Sequence, residues 1–334
     1  MDTKLVARKI VRALSGNSRI SISDLSRSMG VSRLTLRNRM KRIETELGMH
    51  YTSELDERML GLANPHLIVV KFDSKPDLQH IEELLRRSSV PQLAVSIKGG
   101  YDLMIYAVAT TTSDYVYWDK AMQILLSRYG IDWRSSEVVH RQLGFIPLRN
   151  ELLDKLNMQK EAKEMLKMLN LNARVSLRQM ALQLKMHFNT AAYNFNKLLK
   201  AGYVRRFTVT MNKPNDVTLM SFIDKYKPRE GHENIGELSR RAYKSDDEYS
   251  IISRYILCAQ MIGSYDFFAL GVFDNQRTAY RNCVLYHKNL YKREGINQLY
   301  GTVDRVLLGR LPIRSIDTKK EYNTIVWDAN LQKI

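Results

Sequence analysis

Arg33, Arg37, Asn38, Arg39, Lys41 and Arg42 fall within ten positions and carry the side chains that grip or read nucleic acid. Guanidinium and amide groups make paired hydrogen bonds to base edges in the major groove, while any cation can neutralise phosphate. Their spacing puts them on one side of a helix. Leu36, Met40, Ile43 and Leu47 recur at intervals of four, three and four, an apolar stripe that turns the basic residues outward. Ser32 stands where an N-cap belongs, and Met29-Gly30-Val31 before it reads as a tight turn. The assignment is therefore Arg33, Thr35, Arg37, Asn38 and Lys41 to the major groove. Arg39 and Arg42 are assigned to phosphate, with Ser32 at the edge of the same face.

Two helices must position that face. Ser21–Ser28 supplies a short one, and Leu5, Ile10, Ala13 and Leu14 mark another before it. Ile22, Leu25, Val31, Leu36, Met40 and Ile43 are the expected core. Three short helices with a glycine corner before the third form a DNA-binding geometry.

Composition agrees with a polyanionic partner. The 334 residues carry a formal net charge of +17, which favours nucleic acid over an acidic membrane. The charge is uneven: +5 over residues 1–60, +1 over 61–150, +8 over 151–213 and +3 over 214–334. No apolar run approaches a membrane span, and the N-terminus lacks a signal-peptide core. Cys258 and Cys283, without metal-ligand spacing, suit a reducing interior as buried bystanders. A cytoplasmic protein with no membrane partner is expected.

The chain repeats itself. Asn17-Ser-Arg-Ile-Ser-Ile22 returns as Asn172-Ala-Arg-Val-Ser-Leu177, and Gly99-Gly-Tyr-Asp-Leu103 as Gly263-Ser-Tyr-Asp-Phe267. Phe145-Ile-Pro-Leu-Arg149 returns as Arg310-Leu-Pro-Ile-Arg314. Collinear matches predict a tandem duplication. Within each copy the patterning reads strand, helix, strand, strand, helix, strand, with Gly99-Gly100 as a hairpin turn. The expected class is α+β: two winged helix-turn-helix modules alternating with two ferredoxin-like βαββαβ modules. The boundaries are 1–60, 61–150, 151–213 and 214–318, with a tail over 319–334 in which Thr324–Trp327 could add an edge strand.

A winged helix-turn-helix followed by a βαββαβ (RAM-type) domain with a Gly-x-Tyr-Asp hairpin resembles the Lrp/AsnC (feast/famine) transcription regulators. The resemblance rests on Asn17–Ile22, Gly30–Ile43, and Gly99–Asp102 with its echo at Gly263–Asp266. It implies binding to double-stranded DNA, pairing through the βαββαβ domains, higher homo-oligomers, and an amino acid or other small effector held near the hairpin. Carried over by position, the effector residues are Gly100, Tyr101, Asp102, Gly263, Tyr265 and Asp266. Those residues equally suit a braced tight turn.

The copies differ where DNA would be read. Leu36, Met40 and Ile43 align with Ala191, Phe195 and Leu198, so the packing stripe is kept. Arg33, Arg37, Asn38 and Lys41 align with Phe188, Ala192, Tyr193 and Asn196, so the reading face is not. Arg205 and Arg206 fall where a second wing starts and are assigned to phosphate. Sequence readout by the first module is expected, with backbone contacts or packing from the second.

Two other classes compete. An architectural protein would coat DNA with little sequence preference. Some proteins of this overall architecture are haem-pathway decarboxylases. However, the seven histidines are scattered, and no metal pair, phosphate-cradling loop or nucleophile elbow is present. No cofactor, no metal and no enzymatic activity are expected.

Overall fold

The computed structural model describes residues 3–211, 218–226, 255–273, 275, 277, 280 and 296–312. It opens with α1 (Thr3–Gly16), α2 (Ile22–Met29) and α3 (Arg33–Leu47). The Ser21 hydroxyl accepts from the Asp24 N–H at 3.0 Å and the Ser32 hydroxyl from the Thr35 N–H at 3.1 Å. Each satisfies an amide that a helix start leaves unpaired. Leu36, Met40 and Ile43 are buried against Ile10, Leu14 and Leu25, with Ile22 and Val31 half-buried at the margin. At about 1.5–3 kcal/mol per large side chain, this burial fixes which side of α3 faces out.

β1 (His50–Leu55) leaves α3 and finds its partner far along the chain. It pairs antiparallel with β6 (Val204–Met211), from His50 opposite Thr210 to Leu55 opposite Val204. β11 (Leu311–Pro312) extends the other edge of β6. Neither helix set therefore builds a wing from its own strands alone. The second set comprises α6 (Asn150–Leu153), α7 (Lys160–Leu171), α8 (Leu177–Gln183) and α9 (Phe188–Lys200). A reciprocal Ser176–Gln179 capping box starts α8.

Between the helix sets lie β2 (His66–Phe72), α4 (Leu78–Arg86), β3 (Pro91–Gly99), β4 (Leu103–Ala107), α5 (Thr112–Leu126) and β5 (Ile131–Leu143). After β6 come β7 (Thr218–Tyr226), β8 (Tyr255–Gly263), β9 (Phe267–Phe273) and β10 (Ile296–Leu308). The patterning predicts two βαββαβ modules, each with its own sheet; the strands instead form one closed barrel in the order β10-β3-β4-β2-β5-β8-β9-β7. Two four-stranded sheets would each expose two edges of unpaired N–H and C=O groups, and joining β5 to β8 and β10 to β3 removes all four. The expected helix near 235–243, all but residues 277 and 280 of that near 276–293, the strand at 324–327 and Cys283 lie outside the described residues. Cys258 is buried in β8.

The two junctions mirror each other. Ser136 faces Gly263 across one and Gly301 faces Gly99 across the other. The register slips between Val138 and His140 and between Arg141 and Leu143, and again between Val303 and Arg305 and between Val306 and Leu308. Alternation divides the side chains. Leu67, Val69, Val95 and Met104 meet Ile223, Met261, Leu270 and Val303 inside the barrel. Ile68, Val70, Ala94 and Ile105 point outward to Ile81 and Leu85 of α4 and Trp118 of α5. Met165, Leu169, Phe195 and Leu198 of the second helix set belong to the barrel's core, whereas α1–α3 pack as a cluster of their own.

Candidate nucleic-acid interface and hairpin contacts

The helix α3 presents Arg33, Arg37, Asn38 and Lys41 as exposed side chains above buried Leu36, Met40 and Ile43. Thr35 and Arg39 are half-buried. The Ser32 hydroxyl is held by its capping role and by the Thr35 hydroxyl 2.8 Å away. The Arg42 Nε donates to the Glu46 carboxylate one turn on, and that hydrogen bond raises the pKa of the guanidinium further. Leu34, missed from sequence because it falls off the apolar stripe, is 68% exposed among the cations. An aliphatic group there suits a thymine methyl.

The corresponding face of α9 differs in kind. Phe188 and Tyr193 are exposed where α3 carries Arg33 and Asn38, while Ala191, Phe195 and Leu198 are buried. Arg205 and Arg206 lie at the start of β6, roughly half-exposed. The Arg205 Nε donates to Asp56 at 2.7 Å and the Arg206 Nε to Glu54 at 2.6 Å, so both guanidiniums are tied to β1 and the segment after it. Burial works to raise the Asp56 pKa, but Arg205 and the N–H groups of Met59 and Arg58 outweigh it, leaving it below the usual carboxylate range. Beside them Arg141 of β5 donates to Glu57 at 2.8 Å and to the buried Tyr106 hydroxyl at 3.3 Å.

The Gly-x-Tyr-Asp hairpins stand at the two junctions. The Gly100 N–H donates to the Tyr300 carbonyl at 3.0 Å, and the buried Tyr101 hydroxyl donates to Ser221 on β7. Asp102 accepts from the Phe72 N–H at 2.9 Å and from Lys71 at 3.0 Å. At the other junction the Tyr265 N–H donates to the Ser136 hydroxyl at 2.8 Å. Lys225 donates to the Gly263 carbonyl at 2.8 Å and to Asp266 at 3.2 Å. The Tyr101 hydroxyl and the N–H groups of Gly100 and Tyr265 thus tie one half to the other, while Asp102 and Asp266 brace strands of their own halves. Burial pushes up the pKa of both Tyr101 and Tyr265.

No helix among the described residues is long and apolar enough to cross a membrane.

Comparison with known proteins bears on both halves of this picture. Residues 6–45 match the winged helix-turn-helix DNA-binding family. An uncharacterised HTH-type transcriptional regulator of Pyrococcus furiosus is 25% identical over 140 residues, covering 41% of this chain and 91% of its own. The crystal structure of an AsnC family transcriptional regulator from Agrobacterium tumefaciens covers 42% of this chain and 91% of its own at 19% identity, with a TM-score of 0.36. The siroheme decarboxylase NirDL matches along 98% of this chain and 99% of its own, with a TM-score of 0.57 and 15% identity. That likeness overturns the expectation that the chain is not an enzyme. The fold that spans it end to end is one on which an enzyme is built, so architecture gives no ground for excluding catalysis.

Proposed function

We propose that this chain is a sequence-specific DNA-binding transcription regulator of the Lrp/AsnC kind in tandem form, with α3 as its major-groove reader. The observation that carries the reading is the free face of α3, where Arg33, Arg37, Asn38 and Lys41 stand exposed on a helix set with its own core. The winged helix-turn-helix match over residues 6–45 supports it. In this reading residues 1–60 read sequence, and 151–213 form a second winged module that packs into the barrel and contributes backbone contacts. Residues 61–150 and 214–318 pair within one chain. Arg39, Arg42, Arg205 and Arg206 go to phosphate, the last two only where DNA competes with Glu54 and Asp56. Any amino-acid effector would act at the hairpins of Gly100–Asp102 and Gly263–Asp266, and further homo-oligomers would build on the barrel.

Arg37→Ala tests this directly. Loss of one base-edge contact should cost about 1–3 kcal/mol on the preferred sequence and leave the salt dependence nearly unchanged. Reversing the charge of Arg205 and Arg206 should weaken binding to all sequences alike. Equal loss of sequence discrimination from both changes would contradict the division of labour.

A second reading, decarboxylation of a tetrapyrrole carboxylate, is supported by the likeness of fold to NirDL, also solved with an iron-uroporphyrin III analogue. Purified protein that takes up an iron tetrapyrrole stoichiometrically, with a shifted Soret band, would favour it. An unshifted spectrum at saturating ligand would count against it.

A further inference from the structure

A cavity of about 370 Å³ opens where β1, the end of α7, the Pro147–Glu151 segment and the end of β10 converge. Its lining includes Thr52, Arg86, Leu148, Arg149, Leu171 and Arg310. Two of the three guanidiniums are committed elsewhere. Arg86 pairs with Glu82 at 2.8 Å, and Arg149 donates to the Ser88 carbonyl at 2.7 Å while facing Glu151 at 3.2 Å. Arg310 is half-buried, and among the described residues no carboxylate is seen against it. Burial lowers its pKa, and its charge adds to burial in lowering that of His50 nearby.

The opposite junction shows how the same position is otherwise used. Gly144 and Gly309 hold φ of +73° and +82°. A Cβ on them would come within 2.1 Å of the Ile256 carbonyl oxygen and 2.2 Å of that of Gln92. The backbone makes the same corner twice. The residue that follows is Phe145 in one case, 2% exposed, and Arg310 in the other. A phenyl ring fills its junction, whereas a guanidinium stands beside an open cavity. A partly desolvated cation without a counter-charge is costly, and an anion placed against it recovers that cost.

We propose that this cavity binds a small organic anion, with its carboxylate or phosphate head on Arg310 and its apolar body against Leu148 and Leu171. The site is separate from the face of α3 and does not depend on the DNA-reading proposal.

Calorimetric titration of the full chain, without DNA, tests it with phenylacetate and phenyl phosphate as probes. Saturable binding of at least one is expected, and the better probe identifies the head group. Arg310→Gln should weaken it roughly tenfold or more, the worth of a charge-assisted hydrogen bond. Arg310→Phe, which installs the residue used at the other junction, should abolish binding while the protein still melts cooperatively. Arg128→Gln, on the remote turn after α5, should leave binding unchanged. Failure of both probes to saturate, or binding unaltered in both Arg310 variants, would overturn the proposal.

Discussion

Arg37 and Arg42 share a helix and a charge, yet their surroundings give them different work. Arg42 is engaged by Glu46, whereas Arg37 stands exposed on the open face. A paired guanidinium can still meet phosphate by exchanging partners, but the gain is reduced by the pair it gives up. Burial acts as strongly on other single residues. His66 stacks on Tyr115 with ring centroids 3.6 Å apart, and desolvation lowers its pKa despite the opposing charge of Glu137. The folded chain therefore takes up the His66 proton less readily than the unfolded chain does. The stability it confers is complete above the ordinary histidine range and is lost as pH falls through its folded value. Urea unfolding at about pH 7 and about pH 5 should show stability falling toward acid, with a flatter fall in His66→Phe. An equally steep fall in that variant would remove His66 from the account.

The elements that join the helices to the barrel depend on charges brought together from distant parts of the chain. Glu54, Asp56 and Glu57 follow one another along β1 and beyond it, and they meet Arg206, Arg205 and Arg141 respectively. The Arg141–Glu57 pair is the most enclosed, with side chains only 10% and 11% exposed. Removing one partner strands a buried charge, so Glu57→Gln should cost about 3–5 kcal/mol in denaturant unfolding. Adding Arg141→Met should recover much of that. A single variant as stable as the parent would show that the pair does not fasten the segment after β1 to the barrel.

These pairings also mark where local sequence stops being informative. The helix α3 was legible because its cap, stripe and glycine corner act within a few residues. Arg205 and Arg206 read as free cations because nothing near them in sequence announces Glu54 and Asp56. The β1–β6 pairing was invisible for the same reason. The cavity left one trace, the mismatch of Phe145 with Arg310 in an otherwise matching repeat.

At the scale of the whole molecule, one chain completes what two sheets would otherwise share, and among the described residues the barrel strands leave no free edge to recruit a partner strand. Sequence patterning could separate eight strands but not say that they close on one another, since edge pairing follows from which strands remain unpaired. The junctions mirror each other, but the helix faces of the two sets do not: that of α3 is cationic and that of α9 bears exposed Phe188 and Tyr193. If α3 is the reader proposed above, a target with one well-defined half-site suits the molecule better than a strict palindrome.

The central claim is that α3 reads sequence rather than merely neutralising phosphate. The most direct test is DNA affinity across a salt series, with the region upstream of the chain's own coding sequence set against scrambled DNA of equal length. The account predicts a preference of about a hundredfold or more that persists as salt rises, because base contacts do not release counterions as phosphate contacts do. Equal affinity for both DNAs at every salt concentration, or no binding to either, would contradict it.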